Sequence, residues 1–172
     1  MSGGQKAFFL DRDGVINVDH GYVFRIEDFE FIKSVFPVLK RLLAEKGYRL
    51  VVVTNQSGIG RGYYTEDDFR KLNEWMMRKF AEQDIEITAV YSCPHAPEEK
   101  CFCRKPEPGM FLQAIREYDI DPLRSWMLGD KDTDMAAAEN AGIPNRVMLG
   151  GADSAHCTHR ISELIEVLDL LA

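Results

Sequence analysis

Short apolar runs alternate with amphipathic stretches along the whole chain. Ala7 to Leu10, Leu50 to Thr54, Ala89 to Ser92, Ser125 to Leu128 and Arg146 to Leu149 have the length and character of strands buried on both faces. Between them, apolar positions recur at helical spacing. Val35, Leu39, Leu42 and Leu43 form one stripe that stops before Gly47; Phe69, Leu72, Met76 and Phe80 form another, with Thr65 placed as its cap and acidic residues in its first turn. Pro108 suits the first turn of a third helix bearing Phe111, Ile115 and Tyr118. Ala136 to Ala141 reads as a fourth that stops at Gly142, and a fifth is expected from Ile161. This alternation predicts an α/β fold: a three-layer, doubly wound, mostly parallel sheet with helices on both faces. No repeat or low-complexity tract interrupts it, so residues 1–172 are expected to form one domain.

The first strand ends abruptly in Asp11-Arg12-Asp13-Gly14. A buried parallel strand avoids charge, and only its carboxyl end opens onto a ligand crevice. Residues two apart on an extended chain share a side, where two carboxylates can serve a hard cation and a substrate. An acidic turn built on Gly14 would look the same. Other strand ends are equally polar, however: Thr54-Asn55-Gln56-Ser57-Gly58 follows the second, and Gly129-Asp130-Lys131-Asp132-Thr133-Asp134 the fourth. Each alone suits a turn or cap; their joint occurrence points to one site. Asp11, Asp13 and Asp130 supply oxygens for Mg²⁺, while Thr54 and Lys105 suit phosphoryl oxygens, the combination that phosphoryl transfer requires.

Composition narrows the partners. With 21 Lys and Arg against 28 Asp and Glu, the net charge is −7, which argues against nucleic acid and membrane surfaces and requires a local cationic site for any anionic substrate. The segment before Asp11 lacks a signal-peptide layout, and no apolar stretch approaches the roughly 20 residues of a membrane span, so a cytoplasmic protein is expected. Three of the four cysteines, Cys93, Cys101 and Cys103, lie within eleven residues and share that stretch with His95. Free thiols and a loop histidine are one reading. The other is a closed tetrahedral Zn²⁺ site, structural because no ligand position is left for substrate, which would pin Arg104 and Lys105. Cys157, with His156 and His159, reads as no second site.

Asp-x-Asp-Gly after the first strand, Thr after the second, Lys105 before the third helix and Gly-Asp-x-x-x-Asp after the fourth resemble the haloacid dehalogenase (HAD) superfamily of phosphatases. The resemblance implies a HAD-like Rossmannoid fold, capless at this length, with Asp11 as nucleophile and Asp13 as general acid and base. It also implies Mg²⁺ held by Asp11, Asp130 and the main-chain carbonyl of Asp13, with Asp134 ordering the site rather than binding the metal. Within the superfamily, the segments from Asn17 to Val23 and Gln56 to Tyr63, together with Cys-Pro-His and Cys-x-Cys-Arg-Lys-Pro, resemble the heptose bisphosphate phosphatases. That implies removal of the 7-phosphate of a small sugar bisphosphate on the route to activated heptose for lipopolysaccharide or other surface glycans. Substrate contacts are then implied for Asp19, His20, Gly21 and Tyr22, for Thr54, Asn55, Gln56 and Ser57, and for Arg104, Lys105 and Lys131, in an enzyme expected to be a monomer. The compact loop between His95 and Cys101 also resembles histidinol-phosphate phosphatases. A receiver domain, phosphorylated on an aspartate without turnover, is the alternative of another class.

Overall fold

The computed structural model describes residues 3–172. Twelve elements follow one another: β1 (Ala7–Leu10), α1 (Val35–Ala44), β2 (Arg49–Asn55), α2 (Ser57–Gly60), α3 (Glu66–Ala81), β3 (Ala89–Cys93), α4 (Gly109–Glu117), β4 (Trp126–Gly129), α5 (Asp132–Asn140), β5 (Asn145–Leu149), β6 (His159–Ile161) and α6 (Val167–Leu170). The six strands form one parallel sheet in the order β3-β2-β1-β4-β5-β6. No cap domain is inserted among the described residues: the long segment after β1 and the one after β2 remain loops around the short helix α2.

Alternation along the strands makes two cores. Phe8 and Leu10 of β1, with Leu50 and Val52 of β2, share one core with Val38 and Leu42 of α1, Leu72, Met76 and Phe80 of α3, and Leu168 of α6. Ala7 and Phe9, with Val51 and Val53, face the other way and join Phe111 and Ala114 of α4 and Met135 and Ala138 of α5. Every residue of β1 is fully buried, and each large apolar side chain so buried stabilises the fold by about 2 kcal/mol. Helix α3 starts as its sequence predicts: the Thr65 hydroxyl accepts from Asp68 N at 3.0 Å, and Thr65 N donates to the Asp68 carboxylate at 2.9 Å.

The carboxyl-terminal segment departs from the sequence reading. In place of a helix from Ile161, residues His159–Ile161 form a sixth strand paired to β5, with Val147 opposite His159 and Leu149 opposite Ile161. Ile161, Leu164, Val167 and Leu168 fit a helical stripe, but the open edge of β5 has backbone groups to satisfy, and pairing takes the first of these residues into the sheet. Pro108 likewise sits just ahead of α4 rather than inside its first turn.

The chain winds outward from β1 in both directions, toward β3 on one side and β6 on the other. A crevice therefore opens beyond the carboxyl end of β1, between the connections that leave it and its neighbours.

Candidate active site

Three carboxylates and one ammonium meet at that crevice. Asp11 follows β1 directly, its N–H donating to Leu128 O at 3.1 Å so that the ladder continues one residue past the strand. Lys105 Nζ donates to Asp11 Oδ1 at 2.9 Å and to Val53 O at 2.8 Å, and lies 2.6 Å from Asp134 Oδ1. The N–H of Arg12 also donates to Asp11 Oδ1, leaving Asp11 Oδ2 with no hydrogen-bond partner among the described residues. Asp134 Oδ2 accepts from the N–H groups of Asp130 and Lys131, so Asp134 orders both the lysine and the turn after β4.

This cluster has more negative charge than its residues can balance. Burial, reinforced by Asp134 and opposed by Lys105, raises Asp11 well above the ordinary carboxylate range; burial and then Asp134 push Asp130 up to about 6. Burial alone would lower Lys105, but the flanking Asp11 and Asp134 more than reverse that, so the ammonium stays charged. Carboxylate oxygens of Asp11, Asp130 and Asp134 lie within 4.8 Å of one another, and Asp130 Oδ1 is buried without a partner. An all-oxygen set with excess negative charge and an orphaned oxygen fits a hard cation such as Mg²⁺. The approach of Asp130 depends on Gly14, at φ +96°, where a Cβ would stand 2.0 Å from Asp130 Oδ2.

Asp13 points elsewhere. Its Oδ1 accepts from Arg12 Nη2 at 2.9 Å and Asn17 Nδ2 at 2.9 Å, and its Oδ2 from Gln56 Nε2 at 3.2 Å. Arg12 is itself buried, donates to Val23 O at 2.8 Å and sits over the rings of Phe29 and Phe69. The two aspartates thus leave the same strand end for different surroundings.

Above them lies a cavity of about 330 Å³ bordered by Asp13, Asp19, Gly21, Tyr22, Asn55, Gln56, Ser57, Arg104, Lys105 and Lys131, all predicted from sequence, and by Arg61, Tyr64 and Thr133, which were not. Two predicted contacts lie off its wall. Thr54 is fully buried beneath Gln56, whose Nε2 donates to its hydroxyl at 2.9 Å, and His20 turns outward to Glu30 at 2.9 Å. Asn55 uses its amide on the main chain of Lys105, accepting from its N–H at 3.0 Å and donating to its carbonyl at 3.2 Å. Arg104 Nη1 is buried without a partner, and Lys131 Nζ lies 3.5 Å from Asp19. Arg12 was missed because alternation directs attention to the aspartates on either side of it. Tyr64 has no sequence signal beyond its place in an aromatic loop.

The cysteine loop closes on itself at the crevice edge. Cys93, His95, Cys101 and Cys103 come together, with Cys93 Sγ 3.4 Å from both His95 Nδ1 and Cys101 Sγ, and His95 Nδ1 3.2 Å from Cys103 Sγ. All the cysteines are free thiols. Arg104 N donates to Cys101 Sγ at 3.3 Å, and although burial raises the Cys101 thiol, this bond and those from Cys93 and Cys103 bring it down to about 6. Three sulfurs and an imidazole nitrogen are the donor set of a structural Zn²⁺ site.

A doubly wound sheet whose central strand ends in an Asp-x-Asp pair, joined by a buried lysine and the acidic turn after β4, defines a HAD-like hydrolase. The family model described as HAD-hydrolase-like matches residues 102–169. Over 153 residues the chain is 52% identical to the D-glycero-beta-D-manno-heptose-1,7-bisphosphate 7-phosphatase of Haemophilus ducreyi, covering 85% of this chain and 84% of that one. It is 51% identical over 144 residues to the alpha-named 7-phosphatase of Campylobacter jejuni, covering 84% and 82%. The crystal structure of D,D-heptose 1,7-bisphosphate phosphatase from B. bronchiseptica, complexed with magnesium and phosphate, superposes with a TM-score of 0.85 at 28% identity, covering 97% of this chain and 98% of that one. The chain belongs to the family of D-glycero-D-manno-heptose-1,7-bisphosphate 7-phosphatases within the HAD-like hydrolases.

Proposed function

We propose that this protein is a phosphoric monoester hydrolase that removes the 7-phosphate of D-glycero-D-manno-heptose 1,7-bisphosphate through an aspartyl-phosphate, in the synthesis of nucleotide-activated heptose. One observation carries the reading: a single cavity is lined both by Asp13 and Lys105, of the reacting set, and by further cations, Arg61, Arg104 and Lys131. A monophosphate needs only the first set. A bisphosphate needs both, and the buried, unpartnered Arg104 Nη1 suits an anionic oxygen of the phosphate that is retained.

In this reading Asp11 Oδ2, the oxygen without a partner, attacks phosphorus in line as the bond to the sugar oxygen breaks. Asp13 gives its proton to that leaving oxygen. It then takes a proton from water as the water oxygen attacks the aspartyl-phosphate, so that inorganic phosphate leaves and Asp11 is regenerated. Lys105 holds the phosphoryl oxygens, sharing protons it gives to Asp11 and Asp134 in the free protein, and Thr54, buried with its hydroxyl on Gln56, supports the site from beneath. Mg²⁺, when bound, neutralises the phosphoryl charge, and Asp11, Asp130 and the main-chain carbonyl of Asp13 would hold it. Cys93, His95, Cys101 and Cys103 would hold Zn²⁺, stiffening the loop that sets Arg104.

Following the reaction by ³¹P NMR tests this reading. Heptose 1,7-bisphosphate is expected to yield inorganic phosphate and a product that keeps its anomeric phosphate; loss of the anomeric phosphate, or no turnover, would contradict it.

A further inference from the structure

Gln56 borders the cavity, yet its side chain is already committed. Its Nε2 donates to Thr54 Oγ1 at 2.9 Å and to Asp13 Oδ2 at 3.2 Å, and its Oε1 accepts from the Tyr64 hydroxyl. Both amide hydrogens and the carbonyl are therefore used within the protein. The backbone at Gln56 is fixed as well, its N–H donating to Cys93 O at 2.7 Å. Tyr64 is held by its neighbours. Its ring stacks on Phe24 at 5.1 Å and 9°, and it packs so tightly over Gly58 that a Cβ there would lie 2.1 Å from the ring. The phenol is 5% exposed, and its hydroxyl has one place to aim.

The orientation of an amide is decided by what faces its oxygen. With the Tyr64 hydroxyl donating to Oε1, the NH₂ end must face Thr54 and Asp13. A rotated amide would set Oε1 against the Asp13 carboxylate, oxygen to oxygen. Asn17 reaches only Oδ1 of Asp13, and Arg12 Nη2 spans both oxygens, so Gln56 is the second donor to Oδ2, approaching it from the side of the loop after β2.

We infer that Tyr64 is a positioning residue for the chemical step: acting through the Gln56 amide, it aims the Asp13 carboxyl at the leaving oxygen. This rests on the proposed role of Asp13 as general acid. It adds a requirement the catalytic aspartates do not reveal, that Tyr64, from the loop after β2, be packed on Phe24, from the segment after β1, for the acid to be aligned.

Leaving groups separate this role from a structural one. A sugar alkoxide must be protonated as it departs, whereas nitrophenolate leaves p-nitrophenyl phosphate without a proton, and kcat/KM reports the steps through that departure. Tyr64→Phe is expected to lower kcat/KM for heptose bisphosphate about tenfold, the worth of roughly one hydrogen bond, while kcat/KM for p-nitrophenyl phosphate stays within about twofold. Gln56→Met should likewise lose more on heptose bisphosphate than on p-nitrophenyl phosphate, and adding Tyr64→Phe to it should cost nothing further, as expected for residues acting in series. If Tyr64→Phe does not fold, Gln56→Met decides alone. Equal losses on both substrates, no loss on either, or additive losses in the double variant would overturn the inference. Asp13→Asn provides the separate control: a selective loss of about 10²-fold or more upholds the acid role whatever Tyr64 does, and its absence would sink that role first.

Discussion

Asp11 and Asp13 stand two residues apart and meet opposite surroundings. Asp11 lies against Lys105 with one oxygen free, and Asp13 is gripped through both oxygens by Arg12 and also by Asn17 and Gln56. Asp11→Asn should abolish turnover, by on the order of 10³-fold or more, in a protein with unchanged circular dichroism; turnover within a few-fold of the parent would remove Asp11 as nucleophile. Asp130 ties the site to stability. In the metal-free fold it keeps its proton up to about pH 6, whereas an unfolded chain releases it near pH 3.9. The folded state then binds more protons between those values, so this group's contribution to stability is present at low pH and lost as pH rises through 6. Added Mg²⁺ should accordingly raise Tm more at about pH 7.5 than at about pH 5. Asp130→Asn should raise the metal-free Tm at the higher pH and remove the response to Mg²⁺, and an equal response at both pH values would contradict this account. Most of these residues were legible because polar side chains at strand ends are out of place in a buried sheet. Arg12 and Tyr64 were not, since their partners come from segments 11 and 8 residues away whose meeting depends on the folded loops.

The elements were legible where one period ruled and misread where two competed. β1 emerged with its expected bounds because four apolar residues in a row admit little else. Ile161 fitted a helical stripe and also the edge of β5, and the edge won because backbone pairing there satisfies groups that a helix would leave open. Cap chemistry was local enough to read: Thr65→Ala should cost about 1 kcal/mol in thermal or urea unfolding while leaving kcat unchanged. The cysteine loop has no hydrophobic stripe, so only the donor pattern of its cysteines and histidine was legible in the sequence. Purified without chelator, the protein should contain about one equivalent of zinc, and Cys101→Ser should lose it. Because Cys101 accepts from Arg104 N, that variant should raise KM for a bisphosphate more than for a monophosphate. Less than about a tenth of an equivalent of zinc in the parent, by metal analysis, would refute the assignment.

At the scale of the whole molecule, an acidic chain of net charge −7 gathers Arg61, Arg104, Lys105 and Lys131 around one cavity beyond the central strand. The helices on the two faces carry the cores and leave the carboxyl ends of the strands to two loops and the cysteine segment, which is where the proposed function places substrate selection. No described helix is long and apolar enough to cross a membrane. Selection of a sugar bisphosphate by this set of cations is the property on which the proposed function turns. Its most direct test is kcat/KM, with Mg²⁺ present, for both anomers of heptose 1,7-bisphosphate against histidinol phosphate. At least one anomer should exceed histidinol phosphate by tenfold or more, on the order of the 1.4 kcal/mol or more that a second phosphate gains from Arg104 and its neighbours. A preference for histidinol phosphate would contradict that selection.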